Sequence, residues 1–271
     1  MFRRLLQSPH PRLPVRWNST AVHEGTPVTS TNRAEATLKR FWKTVGVEKR
    51  NDGYVVTLDK RALKTPSGNT LLLPQNKQLV ATLVATEWEN QETLLKPHAL
   101  PMTSIVSRAI DTLAEEKSRG EVRKSLLEYL DTDTICFYQD YPPPLVDLQT
   151  KYWDPLLSWA RTTFDIEINA FTSILGNSQP EETKEKLSKV LAEFSHWEMA
   201  AMERATYATK SLIVALALVK RYITVEEASM AARVEVHSQI ERWGEVEDTH
   251  DVDFHDIRRQ LGSAICLLSH A

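Results

Sequence analysis

Residues 45–58 read VGVEKRNDGYVVTL, and this stretch decides the architecture. Tyr54, Val56 and Leu58 recur at every second position, so they share one face of an extended chain. The run before them ends at Asn51-Asp52-Gly53. Asp-Gly supplies the positive φ that a tight hairpin turn needs. Period two holds from Phe41 to Pro74, where a second turn, Thr65-Pro66-Ser67-Gly68-Asn69, precedes the apolar strand Thr70-Leu71-Leu72-Leu73. The reading is a small antiparallel sheet.

Beyond Pro74 the period becomes helical. Leu79, Val80, Leu83, Val84 and Trp88 make one stripe. Pro101 opens a helix bearing Met102, Ile105, Val106, Ala109, Ile110 and Leu113. Gly120 is expected to separate it from a helix bearing Val122, Leu126, Leu127 and Leu130. Thr134 to Tyr138 reads as a short extended segment. The helix with Leu145, Leu148, Tyr152, Leu156 and Trp159 should kink or split at Pro155. Pro180 marks the next helix start, with Glu181, Glu182 and Glu185 in its first turns. Residues 197–219 are apolar nearly all round and predict one central buried helix. Thr224-Val225-Glu226-Glu227 is a capping box, and its helix should bury Ala228, Ala232, Val236, Ile240 and Trp243 before stopping at Gly244. A last helix carries Phe254, Ile257, Leu261, Ile265 and Leu268.

The fold class is therefore α+β: a small antiparallel β-rich N-terminal domain followed by a larger all-α helical domain. The expected boundaries are 1–30 for a targeting segment and linker, 31–96 for the β-rich domain with one helix, and 97–271 for the helical domain.

Composition excludes several functions. The chain has 271 residues but only 8 glycines, at 25, 46, 53, 68, 120, 176, 244 and 262. Neither a dinucleotide fingerprint nor a P-loop can be written with that spacing. Cys136 and Cys266 lie far apart and suit a reducing compartment. The longest apolar run, Leu212 to Val219, is far short of the ~20 residues of a membrane span. Residues 1–23 hold Arg3, Arg4, Arg12 and Arg16 with no acid, plus several hydroxyls, the composition of a mitochondrial transit peptide. Its removal takes four of the 33 basic residues and none of the 36 acidic ones, leaving a net charge of −7. An acidic mature chain argues against nucleic-acid binding.

The densest polar cluster is Glu245, Glu247, Asp248, His250, Asp251, Asp253, His255 and Asp256. Carboxylates and imidazoles could hold a divalent metal, and a metal-dependent hydrolase using 245–256 is the competing reading. The spacing is poor for it: His250 and His255 are five apart and no HExxH occurs. Two plainer readings are a linker whose Asp251 or Asp253 caps the final helix, and a partner-binding surface. Trp42, Trp88, Trp153, Trp159, Trp197 and Trp243 fall on apolar stripes and read as core. Asp59 and Arg61 flank a strand end, where turn fixing is the default role. No Gly-x-Ser-x-Gly occurs, and neither cysteine has a basic neighbour that would activate it. A binding or assembly role is favoured over an enzyme, with no cofactor.

Six blocks together resemble one family: LDKRALKTP at 58–66, Ala85-Thr86-Glu87-Trp88, Pro101-Met102-Thr103, Trp153-Asp154-Pro155, Lys210-Ser211-Leu212-Ile213, and WGEVEDTHD at 243–251. They resemble the mitochondrial assembly chaperones dedicated to the alpha subunit of the ATP synthase catalytic head. The resemblance runs from about residue 38 to the C-terminus, and Lys60 stands where that family commonly carries glycine. It implies a monomeric matrix protein that binds the newly imported alpha subunit and shields its apolar beta-contacting surface. Displacement on assembly would then need no ATP cycle. On this reading the partner-binding residues are Glu245, Glu247, Asp248, His250 and Asp251, partly exposed and gripping a basic patch, with Trp243 anchoring the helix below them. Glu87 and Trp88 are the second choice, Trp88 acting mainly through folding. A structural subunit of a matrix complex is a third reading.

Overall fold

In this computed structural model, described residues are 39–173, 176–245 and 247–270, with only the helical backbone described at 247–250. The expected targeting segment at 1–30 lies outside them. Residues 39–271 form one compact unit.

Strand β1 (Val45–Arg50) pairs antiparallel with β2 (Gly53–Leu58), Arg50 opposite Gly53. The hairpin forms where expected, but positive φ falls on Gly53, which opens β2, and not within the turn. The reason is steric. A Cβ on Gly53 would lie 2.0 Å from the Leu73 carbonyl oxygen, so only glycine lets that strand approach. The next turn is Asp59-Lys60, with φ of 47° and 67°, both left-handed as a two-residue hairpin requires. The Asp59 carboxylate accepts the backbone N–H groups of Thr44 and Lys43, each at 2.9 Å. Those bonds, Thr44 first, hold its pKa below the ordinary carboxylate value. Turn fixing is thus what Asp59 does.

β3 (Arg61–Ala62) and β4 (Leu72–Leu73) lie end to end along one side of β2, Leu58 opposite Arg61 and Tyr54 opposite Leu73. β2 is consequently the central strand and is buried along its whole length. The loop between β3 and β4 is held by Asp111, which accepts from Thr65 Oγ1 (2.6 Å), Asn69 Nδ2 (2.8 Å) and Ser67 N (3.1 Å).

Helix α1 (Gln78–Glu89) lays Val80, Ala81 and Val84 on the sheet, while Leu79 stays 40% exposed. α2 (Pro101–Asp111) starts at its proline. α3 (Glu116–Glu128) contains Gly120, so the break falls near 112–115 and not at the glycine. The segment 134–138 is not extended. Thr134–Cys136 form a 3₁₀ turn because the Asp133 carboxylate accepts the Ile135 N–H, and only Phe137 pairs, in an isolated parallel bridge with Phe171. α4 (Pro143–Tyr152) and α5 (Asp154–Phe164) are split one residue before the Asp154-Pro155 start of α5, as expected. α6 (Glu181–Ala192) follows Pro180.

The expected helix over 197–219 is two. α7 (His196–Thr209) ends where Lys210 turns left-handed at φ 54°, and α8 (Leu212–Val219) restarts with every residue buried. Three polar partners make the break: Ser211 Oγ accepts from Val214 N (3.0 Å), Asp133 accepts from Ile213 N (3.1 Å), and Lys210 O accepts from Thr134 N (3.2 Å). The Thr224–Glu227 capping box is present and opens α9 (Val225–Ala232). Arg233 then interrupts the helix, and α10 (Val234–Trp243) follows, ending at Gly244 with φ 87°. α11 (Glu247–Leu267) closes the chain against α7, α2 and α9. Lys77 ties its C-terminal end to the start of α1: the buried ammonium donates to Leu267 O at 2.6 Å, where the helix dipole is negative.

One apolar core runs from the sheet residues Tyr54, Val56 and Leu73 into the helices. Trp42, Trp153 and Trp197 are buried, and Trp88 and Trp159 half-buried against it.

Candidate functional site

Trp243 corrects the sequence reading: it is 70% exposed and does not anchor its helix. The interruption at Arg233 resets the buried face, which passes through Val234 and Ser238. Trp243 is five residues past Ser238, about 140° round the helix, and so points outward. The Arg242 guanidinium lies 5.0 Å from its ring centroid. Beside it a cavity of about 170 Å³ is lined by Pro142, Leu145, Glu235, Ser238 and Gln239.

The acidic block is not a linker. α11 begins at Glu247, so Asp251 and Asp253 sit inside the helix and do not cap it. Glu245 and Asp251 are exposed. The side chains of Glu247, Asp248 and His250 lie outside the described atoms, although their positions fall in the first turn of α11. Asp253 reaches back to Arg233 at 3.2 Å, and that guanidinium is buried and lies over the Phe254 ring. Asp256 accepts from Arg259 and Gln260. Val252, in the same turns, is 70% exposed. Sequence reasoning missed Arg233: it stood outside the apolar stripe and was not singled out, and only the partner 20 residues on reveals its role. Among the described residues no group of three His, Cys, Asp or Glu could hold a metal.

Glu87 and Trp88 stand apart from this corner. The Glu87 carboxylate accepts Met102 N (2.6 Å), Thr103 N (2.8 Å) and Thr103 Oγ1 (2.7 Å), so α1 caps the N-terminus of α2. Burial pushes this carboxyl above its ordinary value, and the three donors only partly offset it. Trp88 Nε1 donates to the same Thr103 hydroxyl at 3.0 Å, and its ring packs 4.9 Å from Trp42. Two of the sequence blocks, at 85–88 and 101–103, are thus one junction.

The blocks at 153–155 and 210–213 are joints too. Trp153 Nε1 donates to Ala231 O (2.8 Å), and Asp154 accepts from Tyr138 Oη (2.6 Å). Ser211 and Ile213 are half of the Asp133 junction. Burial raises the Asp133 carboxyl to about 6 despite its hydrogen bonds from Ser211, Ile213 and Ile135. Burial likewise pushes the Cys136 thiol up, which removes it as a nucleophile.

Comparison with known proteins agrees with this layout. The family described as ATP12 chaperone protein matches residues 39–161. The mitochondrial protein atp12 of Schizosaccharomyces pombe is 33% identical over 241 residues, 86% of this chain and 83% of that one. The mitochondrial ATP12 of Saccharomyces cerevisiae is 31% identical over 284 residues, 90% of this chain and 87% of that one. The crystal structure of Atp12 from Paracoccus denitrificans superposes with a TM-score of 0.73 at 27% identity, covering 86% of this chain and 99% of that one. With relatives more than 30% identical over most of its length and a solved structure of the same sheet-and-helix fold, the chain belongs to the ATP12 chaperone family.

Proposed function

We propose that this chaperone holds the unassembled alpha subunit of the ATP synthase catalytic head in the mitochondrial matrix. It works as a monomer, covers the surface that beta subunits later occupy, and leaves when they arrive. Residues 1–30 serve as the import segment and its linker. An oligomer interface exposed before its partner arrives is an apolar patch that associates wrongly, which is the need such a holder meets. The observation that carries the reading is the corner between α10 and α11. Trp243 and Val252, each 70% exposed, stand beside exposed Glu245 and Asp251. An exposed tryptophan rimmed by charge is the composition of an interface hot spot. Glu247, Asp248 and His250 belong to the same proposed surface, and the acids steer a basic patch on the client. Glu87 and Trp88 support it through the fold.

The test mixes purified chaperone with unassembled alpha subunit and follows light scattering and complex formation. Wild type should suppress aggregation. Charge reversal at Glu247 or Asp248 should weaken capture while leaving far-UV CD and the melting curve unchanged. Unfolding of the variants would make the block structural, and normal capture would place the surface elsewhere.

A further inference from the structure

A cleft of about 500 Å³ opens between α2, α7 and α11, walled by Ser104, Arg108, Glu203, Arg204, Tyr207 and Gln260. At one end it continues, past Ser104 and Arg108, into a cavity of about 680 Å³ under the 64–67 turn. At the other end it continues, past Tyr207 and Gln260, into one of about 360 Å³ beside Asp253 and Asp256. The three cavities share these wall residues and so adjoin as one groove.

Charge in the central cleft does not cancel. Glu203 is committed to Arg108, bound through both oxygens at 2.7 and 2.9 Å. Arg204, the next residue on α7, makes no ion pair among the described residues. Its guanidinium forms two long bonds to neutral groups, Gln260 Oε1 at 3.3 Å and Ser104 Oγ at 3.2 Å. The remaining charges around it are engaged elsewhere: Glu87 on the start of α2, and Asp256 on Arg259 and Gln260. A guanidinium offers five donors in a planar fork matched to a carboxylate. Half-buried and without a direct ion pair among the described residues, Arg204 has lost solvation that an incoming carboxylate would replace. Tyr207, 48% exposed and packed 5.7 Å from Tyr129, supplies an apolar wall.

We propose that this groove seats an extended segment of the client that carries an aspartate or glutamate side chain, with Arg204 as the carboxylate anchor and Tyr207 packing beside it. The inference rests on the client-holding role proposed above. It adds a second contact of opposite sign to the acidic corner.

The experiment measures capture of unassembled alpha subunit by wild type, Arg204→Gln, Arg204→Lys and Ser104→Glu, with a melting curve for each. Arg204→Gln should weaken capture by about tenfold or more. Arg204→Lys should recover part of it. Ser104 is exposed, so Ser104→Glu is tolerated by the fold and places an internal carboxylate beside Arg204. It should raise the melting temperature and block capture. A photo-cross-linking phenylalanine at Tyr207 should trap a client segment that contains an acid. If wild type captures and Arg204→Gln and Ser104→Glu capture equally well, the groove proposal is overturned while the client reading stands. Should Arg204→Gln fail to fold, undiminished capture by Ser104→Glu overturns it alone. No capture by wild type overturns both.

Discussion

Glu87-Trp88 and Trp243-Gly244-Glu245 are the same chemistry put to opposite uses. In each, a tryptophan stands beside a glutamate at the end of a helix. At α1 both side chains turn inward: Glu87 binds the free N–H groups of α2 and Trp88 donates to Thr103. At the end of α10 the tryptophan is 70% exposed and Glu245 lies at the surface. What separates them is the supply of partners. A helix N-terminus within reach turns a carboxylate into a structural part. Left at the surface, the same residue types remain available to another protein. Asp133 extends the inward class to its limit, a fully buried carboxylate joining the 134–136 turn to α8.

Four measurements would break or sharpen that contrast. Asp133 carries the largest effect. Its carboxyl is raised from 3.8 to about 6, so between those pH values the folded chain keeps a proton that the unfolded chain has lost. Stability therefore falls as pH rises through that window, by about 3 kcal/mol from this group. Raised Glu87 acts in the same direction. Denaturant unfolding at pH 4.5 and 6.5 (approximately) should show the loss, and Asp133→Asn should flatten it. A slope unchanged in Asp133→Asn would refute the assignment.

Glu87→Ala should cost about 2 kcal/mol, because it strands two N–H groups and a hydroxyl at the α2 junction. A lower melting temperature with unaltered client capture per folded molecule is the expected pattern. Loss of capture in a variant as stable as wild type would move Glu87 into the outward class. Trp243→Ala reverses the expectation. Stability should change by less than about 0.5 kcal/mol while capture weakens about tenfold, close to 1.4 kcal/mol. The smallest effect concerns the turn at Lys60. Its left-handed backbone suits glycine, so Lys60→Gly should stabilise by up to about 0.5 kcal/mol, read as a small rise in melting temperature.

The elements that were legible from the sequence are those whose cause is local. The period-two run through Val56, Pro155 splitting α4 from α5, the Thr224–Glu227 box and Gly244 closing α10 each act within one or two turns. Errors collect where a distant side chain intervenes. Asp133 breaks the apolar run at Ser211 from 78 residues away and coils the expected strand at 134–138. Asp253 faces Arg233 across the gap between α9 and α10. Of the candidate surface, the acidic block was legible as a dense cluster of charge. Its helical start and the outward turn of Trp243 were not.

Sequence by itself determined the order of sheet and helices, the turns, most helix ends and the family resemblance, because backbone preference and side-chain periodicity are set by near neighbours. Only the tertiary structure decided which carboxylates serve the fold and which face solvent, and that Arg204 stands in a cleft without a direct ion pair among the described residues. Those outcomes depend on donors and acceptors brought together from tens of residues apart, and burial multiplies their worth by removing the water that would otherwise substitute for them.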